Sequence, residues 1–558
     1  MRWGILFGCR RARGPSGANG AWRTGRCTLA VLVLAGLVGA RRADAHVNSP
    51  DLVHEGMAGP YRVLVTIRPP EVIPGVAAIE VLAPVPDLRA VTLVPLPIAG
   101  PAATSPPVAD VALRSRDDVR LFTGKLWLMA TGSWQVRVHV EGPLGAGELA
   151  VPVPALALRT RTMPAGLGVV LLALLAFLFA GLVSIIGASA RDADLPPGVA
   201  PDRSRRRRAR IAEGATAVLL LAAVAGGHAW WNSEAAFYRR WVYKPLALAA
   251  ALGDEGGTAP LGNRIGAPAA ATTTLALTLT DPGWLKARRL DDLLPDHGHL
   301  MHLFAVKLPG LEVMAHLHPI QIAPGRFVQA WPSLPAGRYQ LFADIVHGSG
   351  LGETATTILV VPARAAARPT GDDVVGFGPA LVGGGAGDGS DARDDRARDA
   401  ARLPDGSRLL WLHGAEPLVA GRPTWFRFRA VDGSGQPVRD LVPYMGMAGH
   451  AVFLKHDRSV FAHVHPSGSV PMAALGLLAG RGANPHAGHD GPSGMAMAMA
   501  MAMATPMPAL PPEIAFPYVF PQAGDYRIFV QYKRGEVIET ATFDARVDRP
   551  AATAPVNR

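Results

Sequence analysis

The chain is expected to be mainly β, with three extracytoplasmic β-sandwich domains and two transmembrane α-helices. Three observations predict this. Short apolar runs alternate with Pro/Gly turns over residues 46–160, 273–362 and 407–548. The last two of these stretches repeat one another, histidines included. Two long apolar stretches lie between the first stretch and the others, the first uncharged and the second with Glu213 near one end. At 558 residues the chain is too long for one core, so several domains are expected.

Residues 1–45 read as an export signal. An Arg-rich start precedes the apolar run Leu29 to Ala40, and Ala43-Asp44-Ala45 fits a cleavage site. Arg41 and Arg42 keep an uncleaved anchor open as the alternative. Cys9 and Cys27 both fall here, so the mature chain would carry no disulfide and no thiolate ligand. Cleavage after Ala45 would make His46 the N-terminus. Its α-amine and imidazole could then brace a copper ion with His54 as third ligand, or His46 could simply begin a strand.

Residues 46–160 form the first sandwich, from Tyr61-Arg62-Val63-Leu64-Val65 to Gly132-Ser133-Trp134-Gln135. Transmembrane helices are expected at 164–190 and 211–232, each long enough to cross hydrocarbon. The loop between them, 191–210, carries Arg203, Arg205, Arg206, Arg207, Arg208 and Arg210. Its positive charge places it in the cytoplasm and the β domains on the periplasmic or extracellular side of a bacterial inner membrane. Trp230, Trp231, Tyr238, Trp241 and Tyr243 follow as an interfacial belt touching membrane lipid. Residues 233–272 read as a juxtamembrane connector, 363–406 as a flexible Ala/Gly/Asp/Arg linker and 549–558 as a tail. The formal net charge of +11 sits largely in local Arg clusters with no interleaved aromatics, so nucleic acid is not an expected partner.

The repeat carries the chemistry. Asp292, Pro295, Gly298, His302, His316 and His318 match Asp440, Pro443, Gly446, His450, His463 and His465. Hairpin turns at Pro309-Gly310 and near Asp457-Arg458 set His302 opposite His318, and His450 opposite His465. An H-x-H on a strand puts both rings on one face. Each repeat is therefore expected to build its own three-imidazole site: His302, His316 and His318, then His450, His463 and His465. The same faces carry Phe304, Val306 and Met314, and Val452, Leu454 and Phe461. The other reading is therefore that the histidines are core residues bonded to backbone.

Met445 and Met447 stand where the first repeat has His297 and His299, an exchange of imidazole for thioether that suits a soft ion or reflects drift in a loop. Repeat two also carries an insertion, 467–512, with His486, His489 and a Met-Ala tract from Met495 to Met507. That tract is either a soft-metal auxiliary or a low-complexity tract without function.

The run Pro443-Tyr444-Met445-Gly446-Met447-Ala448-Gly449-His450, with Phe461-Ala462-His463-Val464-His465-Pro466 and Ala523-Gly524-Asp525-Tyr526, resembles a domain of bacterial cell-envelope membrane proteins. Its A-G-x-Y segment is similar to the YtkA/FixH type, distantly related in architecture to CopC and cupredoxins. The resemblance covers 273–362 and 407–548 and implies immunoglobulin-like sandwiches in the cell envelope. It departs from a cupredoxin in lacking a cysteine ligand, so blue-copper electron transfer is not expected.

The expected function is a membrane-anchored binder of copper, with zinc as the alternative ion, serving metal tolerance or delivery to an envelope cuproprotein or oxidase. The rival is a scaffold of sandwich modules with structural histidines. An enzyme built on His46 is the third reading; the sequence offers no carboxylate pair, P-loop or HExxH to support it.

Overall fold

The computed structural model describes residues 51–84, 88–196, 198–254, 273–284, 288–363, 368–379, 399–414, 416–482 and 510–550. The signal segment, His46, both cysteines, His486, His489 and the Met-Ala tract lie outside the described residues. The protein is mainly β, with three immunoglobulin-like sandwiches and two helices long and apolar enough to cross a membrane.

All three sandwiches share one corner. The strands Gly132–Gly142, Gly337–His347 and Gly524–Arg534 each open on a glycine with φ near +140°: 139°, 147° and 139°. A side chain at that φ would be strained, which explains the recurrent glycine. Two residues on, an aromatic donates to the carbonyl four residues before it. Tyr339 Oη reaches Pro335 at 2.8 Å, Tyr526 Oη reaches Gln522 at 2.8 Å, and Trp134 Nε1 reaches Ala130 at 2.9 Å. In the two repeats this is the tyrosine corner of immunoglobulin-like domains, and the first domain makes the same bond with a tryptophan.

The first sandwich packs a five-stranded sheet on a four-stranded one around Val63, Val65, Ile79, Leu93, Phe122, Val138 and Val153. It docks on repeat two. Glu55 and Ser469 bond across to Ser467 and Val53, at 2.7 and 2.9 Å. Gly468, with φ +116°, has no room for a side chain, since a Cβ there would sit 2.0 Å from the Val53 carbonyl.

Helix α1 (Ala165–Asp192) and helix α2 (Arg203–Arg239) pack on one another, while Phe177, Leu182, Leu219 and Leu221 face outward, uncovered by protein. The expected Arg-rich loop is corrected here. Arg203 to Arg210 are the first turns of α2, capped by Asp202, whose carboxylate accepts from the Arg205 amide at 2.8 Å. The belt is also revised. Trp230, Trp231, Tyr238 and Trp241 are exposed, but Tyr243 turns into repeat one, edge-on to Trp284, and donates to Glu353.

Repeat one is a sandwich whose outer sheet runs Ala247–Asp254, Thr273–Thr280, Arg326–Ala330, Ile320–Ala323. Its other sheet holds Gly352–Val361, Gly337–His347, His302–Leu308, Val313–Leu317 and Val374–Phe377. The expected connector and linker therefore contribute strands. Ala247–Asp254 pairs with Thr273–Thr280 along its whole length, and Val374–Phe377 extends the sheet beside Val313–Leu317. Repeat two repeats the plan, with Val537–Asp548, Gly524–Arg534, His450–Lys455 and Phe461–Val464 in the matching sheet. Ala400–Arg402, also in the expected linker, joins its outer sheet. The start of the insertion is helix α3 (Met472–Gly482), whose Leu475 packs on the first domain's core.

The two repeats stack through their histidine-bearing sheets. Phe304, Val306, Leu311, Met314 and Phe342 meet Val452, Leu454, Phe461 and Phe529 in a core of its own. Strands His302–Leu308 and His450–Lys455 are consequently buried on both faces. Phe461 stacks on Phe342 at 4.2 Å and 6° and lies 5.4 Å from Phe304. Arg527 of repeat two, its side chain 1% exposed, crosses the same seam. It binds Asp544 at 2.8 Å through Nη2 and donates through Nη1 to the carbonyls of Gly310 and Leu311 at 3.1 Å. Truncating Phe461 to alanine should leave a cavity at this seam and cost ~3–5 kcal/mol. Hydrogen exchange of His302–Leu308 and His450–Lys455 should speed up accordingly, and unchanged protection would contradict the packing.

Candidate metal centre

The tight turns Asp296–His299 and Tyr444–Met447 sit at matching ends of the two repeats. Each has φ > 0 at both central positions: His297 51° and Gly298 87°, Met445 51° and Gly446 78°. That is the geometry X-Gly pairs adopt in two-residue turns. The turns carry His297 and His299, or Met445 and Met447, to the rim of the seam. The strands behind them supply His302, His316 and His318, and His450, His463 and His465.

A pseudo-twofold relates the halves. His302 pairs with Asp344 and His450 with Gln531. Asp344 pairs with Thr354, and Gln531 with Thr540. His302 Nδ1 lies 3.0 Å from His316 Nε2, and His450 Nδ1 lies 3.1 Å from His463 Nε2. Across the seam, Gln531 Oε1 lies 2.9 Å from His316 Nδ1, and Asp344 Oδ2 lies 3.7 Å from His463 Nδ1.

The expected site per repeat is corrected. Ligand atoms converge in sets drawn from both repeats: His297 with His450 and His465, and His302 with His316 and His463, each within 4.8 Å. The physical reason is that the histidine faces are the faces on which the repeats pack. His318 belongs to neither set. Its Nδ1 is held by Asp373 Oδ1 at 3.0 Å, its ring stacks on His299 at 4.0 Å, and its Nε2 is buried without a partner. His299 Nε2 lies 3.3 Å from Asp372. Met445 and Met447 are half-buried on the matching turn. His54 is buried at the contact with Gly468, and burial lowers its imidazole to about 4.

The two sets differ in what they leave open. In the second, the nitrogens bond to one another and to the protein: His302 Nε2 donates to the Asp296 carbonyl at 3.0 Å, and its Nδ1 meets His316. In the first, His297 Nε2, His450 Nε2 and both His465 nitrogens are buried with no hydrogen-bond partner. The Val470 carbonyl stands near His465, and the Met445 carbonyl near His297. Buried polar atoms left unbonded are costly, and their presence on three histidines whose ligand atoms lie within 4.8 Å of one another matches what a cation would satisfy.

Burial is the largest cause that holds the seam histidines neutral. His302 is lowered to about 3, and His297, His316, His318, His450, His463 and His465 are all lowered. Neutral imidazole is the form that binds metals. Burial also raises Asp344 to about 7 and raises Asp296 and Asp373. The residues the sequence did not single out are Asp344, Gln531, Asp372 and Asp373. The first two were findable, since each stands five residues after the corner tyrosine of its repeat, Tyr339 and Tyr526.

Comparison with known proteins adds little beyond the fold. Residues 404–549 match the model of a domain of unknown function, DUF8832. No curated protein matches. Among solved structures, a tetra-tandem repeat of a large adhesion protein is 9% identical, with 85% of this chain and 71% of that one covered and a TM-score of 0.13. The ICAM-5 D1–D4 ectodomain fragment is also 9% identical, covering 88% and 78% with a TM-score of 0.14. A Salmonella alpha-2-macroglobulin is 10% identical, covering 91% and 24% with a TM-score of 0.16. Similarity at these scores carries no argument. The family model covers repeat two alone, and the YtkA/FixH resemblance rests on the sequence motifs alone.

Proposed function

We propose that this protein is a membrane-anchored metal binder whose site lies in the seam between its two histidine-bearing repeats. His297, His450 and His465 are the ligands, and the ion is a borderline transition metal: copper first, zinc as the alternative. The observation that carries this reading is the convergence of three imidazoles, each of which has a buried unbonded nitrogen. Three imidazoles leave a coordination position for a further ligand, which suits capture and transfer. The β domains would work outside the membrane, with helices α1 and α2 as the anchor and the Arg-rich start of α2 on the cytoplasmic side.

A second reading is supported by the other half of the cluster. His302, His316 and Gln531 form hydrogen bonds that hold the repeats together with no ion. On that reading the protein is an envelope scaffold, and its histidines are a polar fastening in the seam.

Metal analysis of the purified full-length chain separates the two. The metal reading expects the parent to retain copper or zinc after dialysis, and the His297→Ala/His465→Ala variant to lose it. Equal metal in both chains, or none in the parent, would sink it.

A further inference from the structure

The geometry points to Asp344 as the residue that, through His463, makes one half of the pseudo-symmetric cluster able to take a cation, while its counterpart Gln531 closes the other half. This rests on the tri-imidazole reading of the seam.

The first half ends on a carbonyl. The Asp296 oxygen can only accept, so His302 carries its proton on Nε2, 3.0 Å away. Neutral His302 then has a lone pair on Nδ1, and His316 must donate to it from Nε2. His316 Nδ1 is left as an acceptor. It needs a donor, and the Gln531 amide supplies one when turned so that its NH2 faces the ring. In that orientation the amide oxygen accepts from the Thr540 hydroxyl, on the same strand pair. Every proton has a partner, and no lone pair remains for an ion.

The second half ends on a carboxylate. Ionised Asp344, its form above about pH 7, can only accept, and Thr354 donates to its Oδ1. At 3.7 Å its Oδ2 is too far from His463 Nδ1 for a hydrogen bond. It is close enough for its charge to favour the proton on that nitrogen. His463 Nε2 then bears a lone pair, and His450 donates to it from Nδ1 across 3.1 Å. Neutral His450 therefore presents a lone pair on Nε2, the buried unbonded atom that faces His297 and His465.

Proton direction thus runs opposite ways in the two halves, and the carboxylate-for-carboxamide difference reverses it. An amide at 344 bears no charge to hold the proton on His463 Nδ1, which opens the opposite direction. His463 would then donate to His450, whose Nε2 would carry a proton aimed into the site. Asp344 is a positioning residue, acting on the ion only through two rings. Outer partners of this kind typically change metal affinity by ~10–100-fold.

The test uses the full-length chain in detergent at pH 8, labelled with 15N-histidine, and Zn(II) as a redox-silent probe. Metal-free parent should show His450 with its proton on Nδ1. Asp344→Asn should move that proton wholly or partly to Nε2 and weaken Zn(II) binding ~10–100-fold. Asp344→Glu should restore both. An Asp344→Asn chain with the parent tautomer and affinity within about twofold of the parent would overturn the inference. If the parent binds no Zn(II), the tri-imidazole reading falls, and the metal-free tautomer of His450 still judges the role of Asp344.

Discussion

Replacing His465 by alanine is expected to abolish tight binding of a divalent ion while leaving the fold in place. His465 holds no other side chain by a hydrogen bond and has only the Val470 carbonyl beside it, so its loss removes a ligand at little cost to the packing. Removing a direct ligand should exceed the ~10–100-fold cost of losing an outer partner. His297→Ala should match it, although His297 comes from the other repeat. A contrasting effect is expected at His302, whose nitrogens are committed to the Asp296 carbonyl and to His316. His302→Ala should loosen the seam and weaken binding at His297, His450 and His465 by no more than ~10–100-fold, since it acts from outside the ligand set. Isothermal titration with Zn(II) checks the series. Were His302→Ala as damaging to binding as His465→Ala, the set His302, His316 and His463 would be the better candidate.

Acid is expected to open the metal-free seam. Seven buried or half-buried histidines there have lowered pKa values, with His302 at about 3. Unfolded histidine titrates near 6.5. Below that value the unfolded chain binds more protons than the folded one, so stability falls with pH. The stabilisation is complete above about pH 6.5 and is lost on descent toward the folded values. Asp296, Asp344 and Asp373 oppose the trend, because their raised values let the folded state bind protons first. Each net proton is worth ~1.4 kcal/mol per pH unit, and the histidines outnumber the acids. Hydrogen exchange of His450–Lys455 should therefore accelerate steeply between pH 6.5 and about 5. Bound metal should protect it. Flat protection over that range would mean the rings are not buried neutral.

The sequence made the hairpins legible because two-residue periodicity and turn residues act locally. The observed registers, Leu303 with Leu317 and Ala451 with Val464, continue to the expected facing positions of His302 and His318, and of His450 and His465. Which rings share a cavity was not legible. That depends on which sheet face meets which, a contact more than 100 residues long in sequence. The clue was present in Phe304, Val306, Val452 and Leu454, an apolar content too high for a solvated face. Ala247–Asp254 was hidden for another reason. Its Ala/Leu composition has little strand preference of its own, and pairing with Thr273–Thr280 decides its state. The Arg run was read as a loop from its charge, whereas arginine is a good helix former and Asp202 supplies the cap.

Anomalous diffraction at the metal edge, from crystals of the full-length chain grown with Cu(II) or Zn(II), tests the seam directly. The expected result is a peak between His297, His450 and His465, with nitrogens ~2.0–2.1 Å from the ion. A peak confined to one repeat, or an empty seam in a metal-loaded crystal, would contradict a site that takes its ligands from both.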